Sequence, residues 1–359
     1  MTASDFVQAL EVFWPKNKAK GLLAQTVLDR EVGLGRFGAD ATEKLSPGCW
    51  LFAPKEQDFY KYRYAFFTHP KVLRSGADIP APKELLGDKY RPFHAIAEFL
   101  NNAGVGVIYV VTETALGTLP LEKIRNKEFG GISWRFFSFE NGGFVPKDAD
   151  SFLAGWAGIR GRASKGGNWI PEVKSSISAL TEAQLTELLL TEIFYAGYVK
   201  TTLHKPVNDP YDLDEFIISI SQKHVFPVEI KEKFAGDGNG GKYFGIDAGR
   251  IMMMLRVCLP NDANAIYLIR ELDEQGNFIG WKYMTLSDIV MTSSWNLQAG
   301  GAGMGGQATQ TIRLPYAEFK DFTRDTLSED NLKLIGNLPK DIRAMAKSFG
   351  EELSRRFHG

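Results

Sequence analysis

The chain has 359 residues, with 42 Lys+Arg against 43 Asp+Glu and a net charge of −1. Its 44% apolar and 24% charged content is ordinary globular usage, which excludes collagen, coiled-coil rods and wholesale disorder. No apolar run approaches the roughly 20 residues of a membrane span, and Met1 to Val12 lacks the basic start and apolar centre of a signal peptide. We therefore expect a soluble, cytoplasmic protein.

Cys49 and Cys258 lie far apart in apolar surroundings, which argues against a disulfide scaffold or a cysteine zinc site. With a net charge near zero, a site for polyanions has to come from local clustering.

Two helical patterns open the chain, over 5–14 and 19–32. Strands are expected over 60–67, 105–112 and 131–139, with a helix over 92–102. The Gly-rich, basic stretch 156–168, with Arg160, Arg162 and Lys165, reads as a linker. It would separate a mixed, β-rich domain over 1–165, serving recognition or regulation, from a second domain over 170–359.

In that second domain Thr181-Glu-Ala-Gln184 forms a capping box that starts a helix over 181–196. Gly197 stands where a helix end favours positive φ. A short strand over 198–202 and a turn at Asn208-Asp209-Pro210 follow. Strands over 215–221 and 225–231 lead into a Gly-rich loop over 235–241, a helix over 246–258, and strands over 265–270 and 278–284. This order predicts an α/β (α+β) fold with a mixed central sheet flanked by helices. No internal repeat is evident in the sequence.

The chemistry concentrates in Asp212-Leu-Asp214-Glu215 and Val228-Glu229-Ile230-Lys231. Strand alternation puts Glu229 and Lys231 on one side of the sheet and Val228 and Ile230 on the other. Asp214, at the head of the neighbouring strand, brings a second carboxylate to the same point. Paired carboxylates suit a hard, hydrated cation such as Mg²⁺, and the lysine is placed to orient or help deprotonate an attacking water. The triplet alone carries little weight. Glu172-Val-Lys174 and Glu318-Phe-Lys320 share it, and average usage predicts about three such triplets by chance. Its place on an apolar strand beside an acid-led strand distinguishes Glu229-Ile230-Lys231 from a solvated strand end.

In these residues the chain resembles the PD-(D/E)xK nuclease superfamily, the fold of many type II restriction endonucleases. The resemblance spans roughly 181–281 and departs in having Leu213 where the motif has proline. It implies an Mg²⁺-dependent endonuclease acting on double-stranded DNA, with Asp214 and Glu229 as metal ligands, Lys231 as the water-activating residue, and a homodimer to cut both strands. It also implies a further acid from the upstream helix, for which Glu187 is preferred over Glu192. Asp212 competes with Asp214. A structure-specific repair or recombination nuclease and a non-catalytic DNA-binding module are the alternatives.

Gly236-Asp-Gly-Asn-Gly-Gly241-Lys242 spells the G-x-x-x-x-G-K of a phosphate-binding loop, but Tyr243 stands where Ser or Thr would ligand Mg²⁺. A flexible loop closing over a DNA backbone fits it better. Asp247 and Arg250 are expected to be a capping acid and a surface arginine. The uncharged, Gly-rich tract 295–311 suits base-edge hydrogen bonding. Lys55, Lys61, Arg63, Lys71 and Arg74, interleaved with Tyr60, Tyr62 and Tyr64, form a basic stripe for phosphates. The five histidines show no metal-ligand spacing, and no serine stands in a G-x-S-x-G setting.

Overall fold

A computed structural model describes residues 2–14, 16–52, 63–76, 78–148, 169, 171–194, 197, 211–221, 223–293, 297–299 and 310–358. The linker 156–168, the strand 198–202, the turn 208–210, Lys55, Tyr60, Lys61, Tyr62 and most of the tract 295–311 lie outside them. The chain divides into two compact units: unit 1 is Met1–Val27 with Gly48–Asp212, and unit 2 is Leu28–Pro47 with Leu213–Gly359.

In chain order the first elements are α1 (Ala3–Phe13), α2 (Lys16–Gly33), α3 (Ala41–Lys44), β1 (Leu45–Phe52) and β2 (Tyr64–Arg74). Next come α4 (Pro82–Leu86), α5 (Tyr90–Asn102), β3 (Gly106–Thr114), α6 (Leu121–Arg125), β4 (Ile132–Glu140), β5 (Gly143–Lys147), α7 (Pro171–Ser178) and α8 (Glu182–Glu192). Capping boxes start two of these helices, Thr2 with Asp5 on α1 and Thr181 with Gln184 on α8. Each box satisfies N–H groups that the first turn leaves without partners.

Unit 1 orders its strands β1-β2-β3-β4-β5. The β2/β3 pair is parallel and the others antiparallel. From Val107 to Thr114, β3 is buried residue after residue, as a strand covered on both faces must be. On one face Phe66, Ile108, Val110 and Phe136 join Phe6 and Leu10 of α1 and Leu189 of α8 in a single apolar cluster. On the other, Phe93 of α5 meets Phe67, Tyr109 and Phe144.

Gly197 is in unit 1 and is absent from the glycines with positive φ. Its requirement is steric instead: a Cβ there would lie 2.2 Å from Cζ of Phe129.

Unit 2 continues with β6 (Tyr211–Ser219), β7 (His224–Lys233), β8 (Gly236–Gly238), β9 (Gly241–Asp247), α9 (Ala248–Cys258), β10 (Ile266–Leu272) and β11 (Phe278–Thr285). It ends with α10 (Leu286–Thr292), β12 (Gln298–Ala299), β13 (Gln310–Pro315), β14 (Lys320–Asp321), α11 (Glu329–Ile335) and α12 (Lys340–His358). Its main sheet runs β14-β11-β10-β7-β6, and a second sheet runs β12-β13-β9-β8. Pro227 precedes the first residue of β7 that pairs with β10, so its missing N–H removes no bond from that ladder. Helix α9 packs on β7 and is backed by α10 and α12, burying Ile251, Met253, Met254 and Val257. These sheets with helices against them give the expected mixed α/β class.

The two units, each taken alone, share one pairing order. In unit 2, β6 is antiparallel to β7, β7 parallel to β10, and β10 and β11 antiparallel to their next neighbours. That is the order β1 to β5 of unit 1. A helix, α5 or α9, precedes the parallel partner strand in each. Those strands read alike, Ile108-Tyr109-Val-Val-Thr-Glu113 and Ile266-Tyr267-Leu-Ile-Arg-Glu271, and both glutamates are buried.

Candidate active site

Alternation along β7 puts Glu229, Lys231 and Lys233 on one side of the strand. Glu229, opposite Tyr267 in the parallel register, is 0% exposed. Lys231 reaches back from the strand end, its Nζ 2.6 Å from Glu229 Oε1 and 3.6 Å from Asp214 Oδ2. Asp214 sits on β6 just before the residues paired with β7, and its Oδ2 accepts the main-chain N–H of Ile230 at 2.7 Å. The acid is thus anchored to the backbone between the other two residues. The charge of Asp212, two residues earlier and in unit 1, acts on the buried Cys49, raising a thiol pKa that burial already pushes up.

The first turn of α9 adds Arg250, expected at the surface. Asp247 caps the helix, its Oδ1 accepting the Gly249 N–H at 2.7 Å. Arg250, in the same turn, points inward, with Nε 3.3 Å from Glu229 Oε1 and a side chain only 19% exposed. Such reach has no sequence signature, because which face of a helix's first turn meets the sheet is set by packing.

The result is an acid pair among three cations. Burial, with Lys231 adding repulsion, lowers the Lys233 ammonium to about 8. Its Nζ donates to the Gly245 carbonyl, which also accepts the Tyr267 hydroxyl at 2.8 Å. Burial and then the charges of Glu229 and Asp214 raise the pKa of that hydroxyl. Both ion-pair contacts of Glu229 go to Oε1, and its buried Oε2 has no hydrogen-bond partner among the described residues. A buried carboxylate oxygen left so costs on the order of 1–3 kcal/mol.

A solvated strand end is therefore not what these residues form. Among the described residues no cluster of three or more His, Cys, Asp or Glu side chains could hold a metal. Asp214 and Glu229 supply two carboxylates, the donor type that a hard cation takes.

Glu187, expected beside this pair, is on α8 in unit 1. Burial raises its carboxyl pKa, partly offset by Lys89, and its charge acts on the Tyr109 hydroxyl. Glu192 is buried in the same unit. Tyr109 occupies in unit 1 the place of Tyr267, but the residue opposite it is Phe67, and its hydroxyl lies 2.7 Å from Nδ1 of His69. Unit 1 thus has an aromatic core where unit 2 has Glu229.

One other expectation changes. Gly236 to Lys242 is no flexible loop and no phosphate cradle: it is the β8/β9 hairpin, with Asp237 opposite Lys242. Of the basic stripe, Arg63, Lys71 and Arg74 are described, and all three are exposed. Among the described residues no helix is long and apolar enough to cross a membrane. No protein-family model, curated protein or solved structure matches the chain.

Proposed function

We propose that the chain is an Mg²⁺-dependent endonuclease that hydrolyses phosphodiester bonds of double-stranded DNA in the manner of a type II restriction enzyme. The observation that carries the reading is Glu229: a fully buried carboxylate whose Oε2 has no hydrogen-bond partner among the described residues, flanked by Asp214 and Lys231. Burial of this kind is unfavourable for folding alone. A cation between the two carboxylates would supply the missing partner.

Asp214 and Glu229 would hold Mg²⁺, which when bound supplies Lewis-acid stabilisation of charge on the phosphodiester. Lys231 Nζ donates a hydrogen bond to the attacking water and holds it in line with the scissile P–O bond. As the water oxygen bonds to phosphorus and gives its proton to solvent, the scissile P–O bond breaks and the leaving oxygen takes a proton from solvent. Arg250 and Lys233 keep the surroundings positive, which favours an anionic backbone over the buried acids. One such centre per chain makes a homodimer the simplest way to cut both strands.

The test is cleavage of plasmid DNA in Mg²⁺ by the wild type beside Glu229→Ala and Lys231→Ala. Discrete fragments from the wild type alone support the reading, whereas structure-specific cutting of branched DNA alone would move it to a repair nuclease.

A further inference from the structure

The geometry points to a DNA-backbone docking face on the second sheet of unit 2, centred on Arg313 stacked over Tyr243. It rests on the reading of the chain as a nuclease, because it assigns the contact that holds that same substrate. The Arg313 guanidinium carbon lies 4.5 Å from the Tyr243 ring centroid, a cation–π stack that leaves the guanidinium edge and its N–H donors free to face a partner. Arg313 is exposed, and no carboxylate among the described residues pairs with it. A fixed, uncompensated guanidinium is suited to a phosphodiester oxygen pair.

The face is built for this stack. The inner residues of the two strands, Phe244, Ile246, Ile312 and Leu314, are buried, so the outer positions are Tyr243, Gly245, Asp247, Thr311, Arg313 and Pro315, with Asp247 engaged in its cap on Gly249. A Cβ on Gly236 would lie 3.1 Å from the Tyr243 ring, and one on Gly238 3.2 Å from the ring and 3.5 Å from Arg313 Nη1. Gly236 and Gly238 therefore make room for the ring, which accounts for part of a composition that imitates a phosphate-binding loop without being one.

The face is also indexed to the acid pair through rigid bonds. Arg313 pairs in register with Gly245. The Gly245 carbonyl accepts the Tyr267 hydroxyl, and Tyr267 pairs in register with Glu229. A backbone phosphate held by Arg313 would be positioned relative to Glu229 by strand pairing, without a mobile loop.

The test is fluorescence anisotropy of a labelled DNA duplex with the full chain in EDTA, repeated over a salt series, so that binding is read apart from cleavage. Arg313→Ala should bind roughly tenfold more weakly and lower the slope of log affinity against log salt by about one, as loss of a single phosphate contact does. Tyr243→Phe should bind as the wild type and Tyr243→Leu should weaken binding. Arg313→Gln, closer in size and polarity, repeats the measurement if Arg313→Ala lowers the melting temperature. Wild-type affinity and salt slope in Arg313→Ala and Arg313→Gln would overturn the proposal, as would a wild type that does not bind duplex. Binding that depends on Arg313 without any plasmid cleavage would keep the docking face and discard the catalytic reading.

Discussion

The carboxylate of Asp214 accepts the main-chain N–H of Ile230, the residue between Glu229 and Lys231, at 2.7 Å. One acid is thereby locked to the strand that carries the other two groups. Asp214→Asn keeps an acceptor oxygen and should leave the urea midpoint within a few tenths of the wild-type value. Asp214→Ala removes the acceptor from a buried N–H and should cost on the order of 1–3 kcal/mol. Both should be inactive. Equal stability of the two variants would show that the hydrogen bond does not hold the strand.

Divalent cation should stabilise the folded chain through Glu229. At a concentration near one hundred times the dissociation constant, Mg²⁺ or Mn²⁺ binding adds about 2.7 kcal/mol, visible as a rise in melting temperature. Glu229→Ala should show none of it, while Phe67→Ala, at the matching place in unit 1, should be destabilised but respond to the metal as the wild type does. An undiminished rise in Glu229→Ala would place the cation elsewhere.

Acid should weaken unit 1 through His69. Burial, with Lys71 adding repulsion, holds the imidazole at about 4, below the ordinary value of about 6.5. The neutral form is the one the fold accepts, so its stability contribution is complete above pH 6.5 and is lost as pH falls from there toward 4. The loss is on the order of 2–3 kcal/mol. His69→Gln should be less stable at neutral pH but lack this extra loss when urea unfolding is compared at pH 7 and pH 4.5. Parallel losses in the two proteins would contradict it.

Gly197→Ala should destabilise by about 1–3 kcal/mol, because its methyl would overlap the Phe129 ring and the surrounding core must shift. Combining it with Phe129→Leu should recover part of that loss relative to the sum of the single changes. Strict additivity would remove the steric explanation.

Where local rules governed, the sequence was legible. The capping box at Thr181 and the alternation that brings Glu229 to Lys231 follow from neighbours along the chain, and Asp214 follows from antiparallel adjacency. What escaped depends on packing across the chain. Gly236 to Lys242 has loop composition, yet Gly236 and Gly238 serve the Tyr243 ring. Arg250 turns inward because α9 packs on β7. Glu187 belongs with unit 1 because α8 packs on β2. The pairing order common to both units leaves little trace in sequence, since buried strands constrain apolar character more than residue identity.

Supercoiled plasmid incubated with the chain in Mg²⁺, beside Glu229→Ala and Lys231→Ala variants shown to bind duplex normally, reads out the hydrolytic centre itself. We predict discrete DNA fragments from the wild type and intact plasmid from both variants. Plasmid equally intact, or equally cut, with all three proteins in Mg²⁺ and in Mn²⁺ would contradict a hydrolytic centre at Asp214, Glu229 and Lys231.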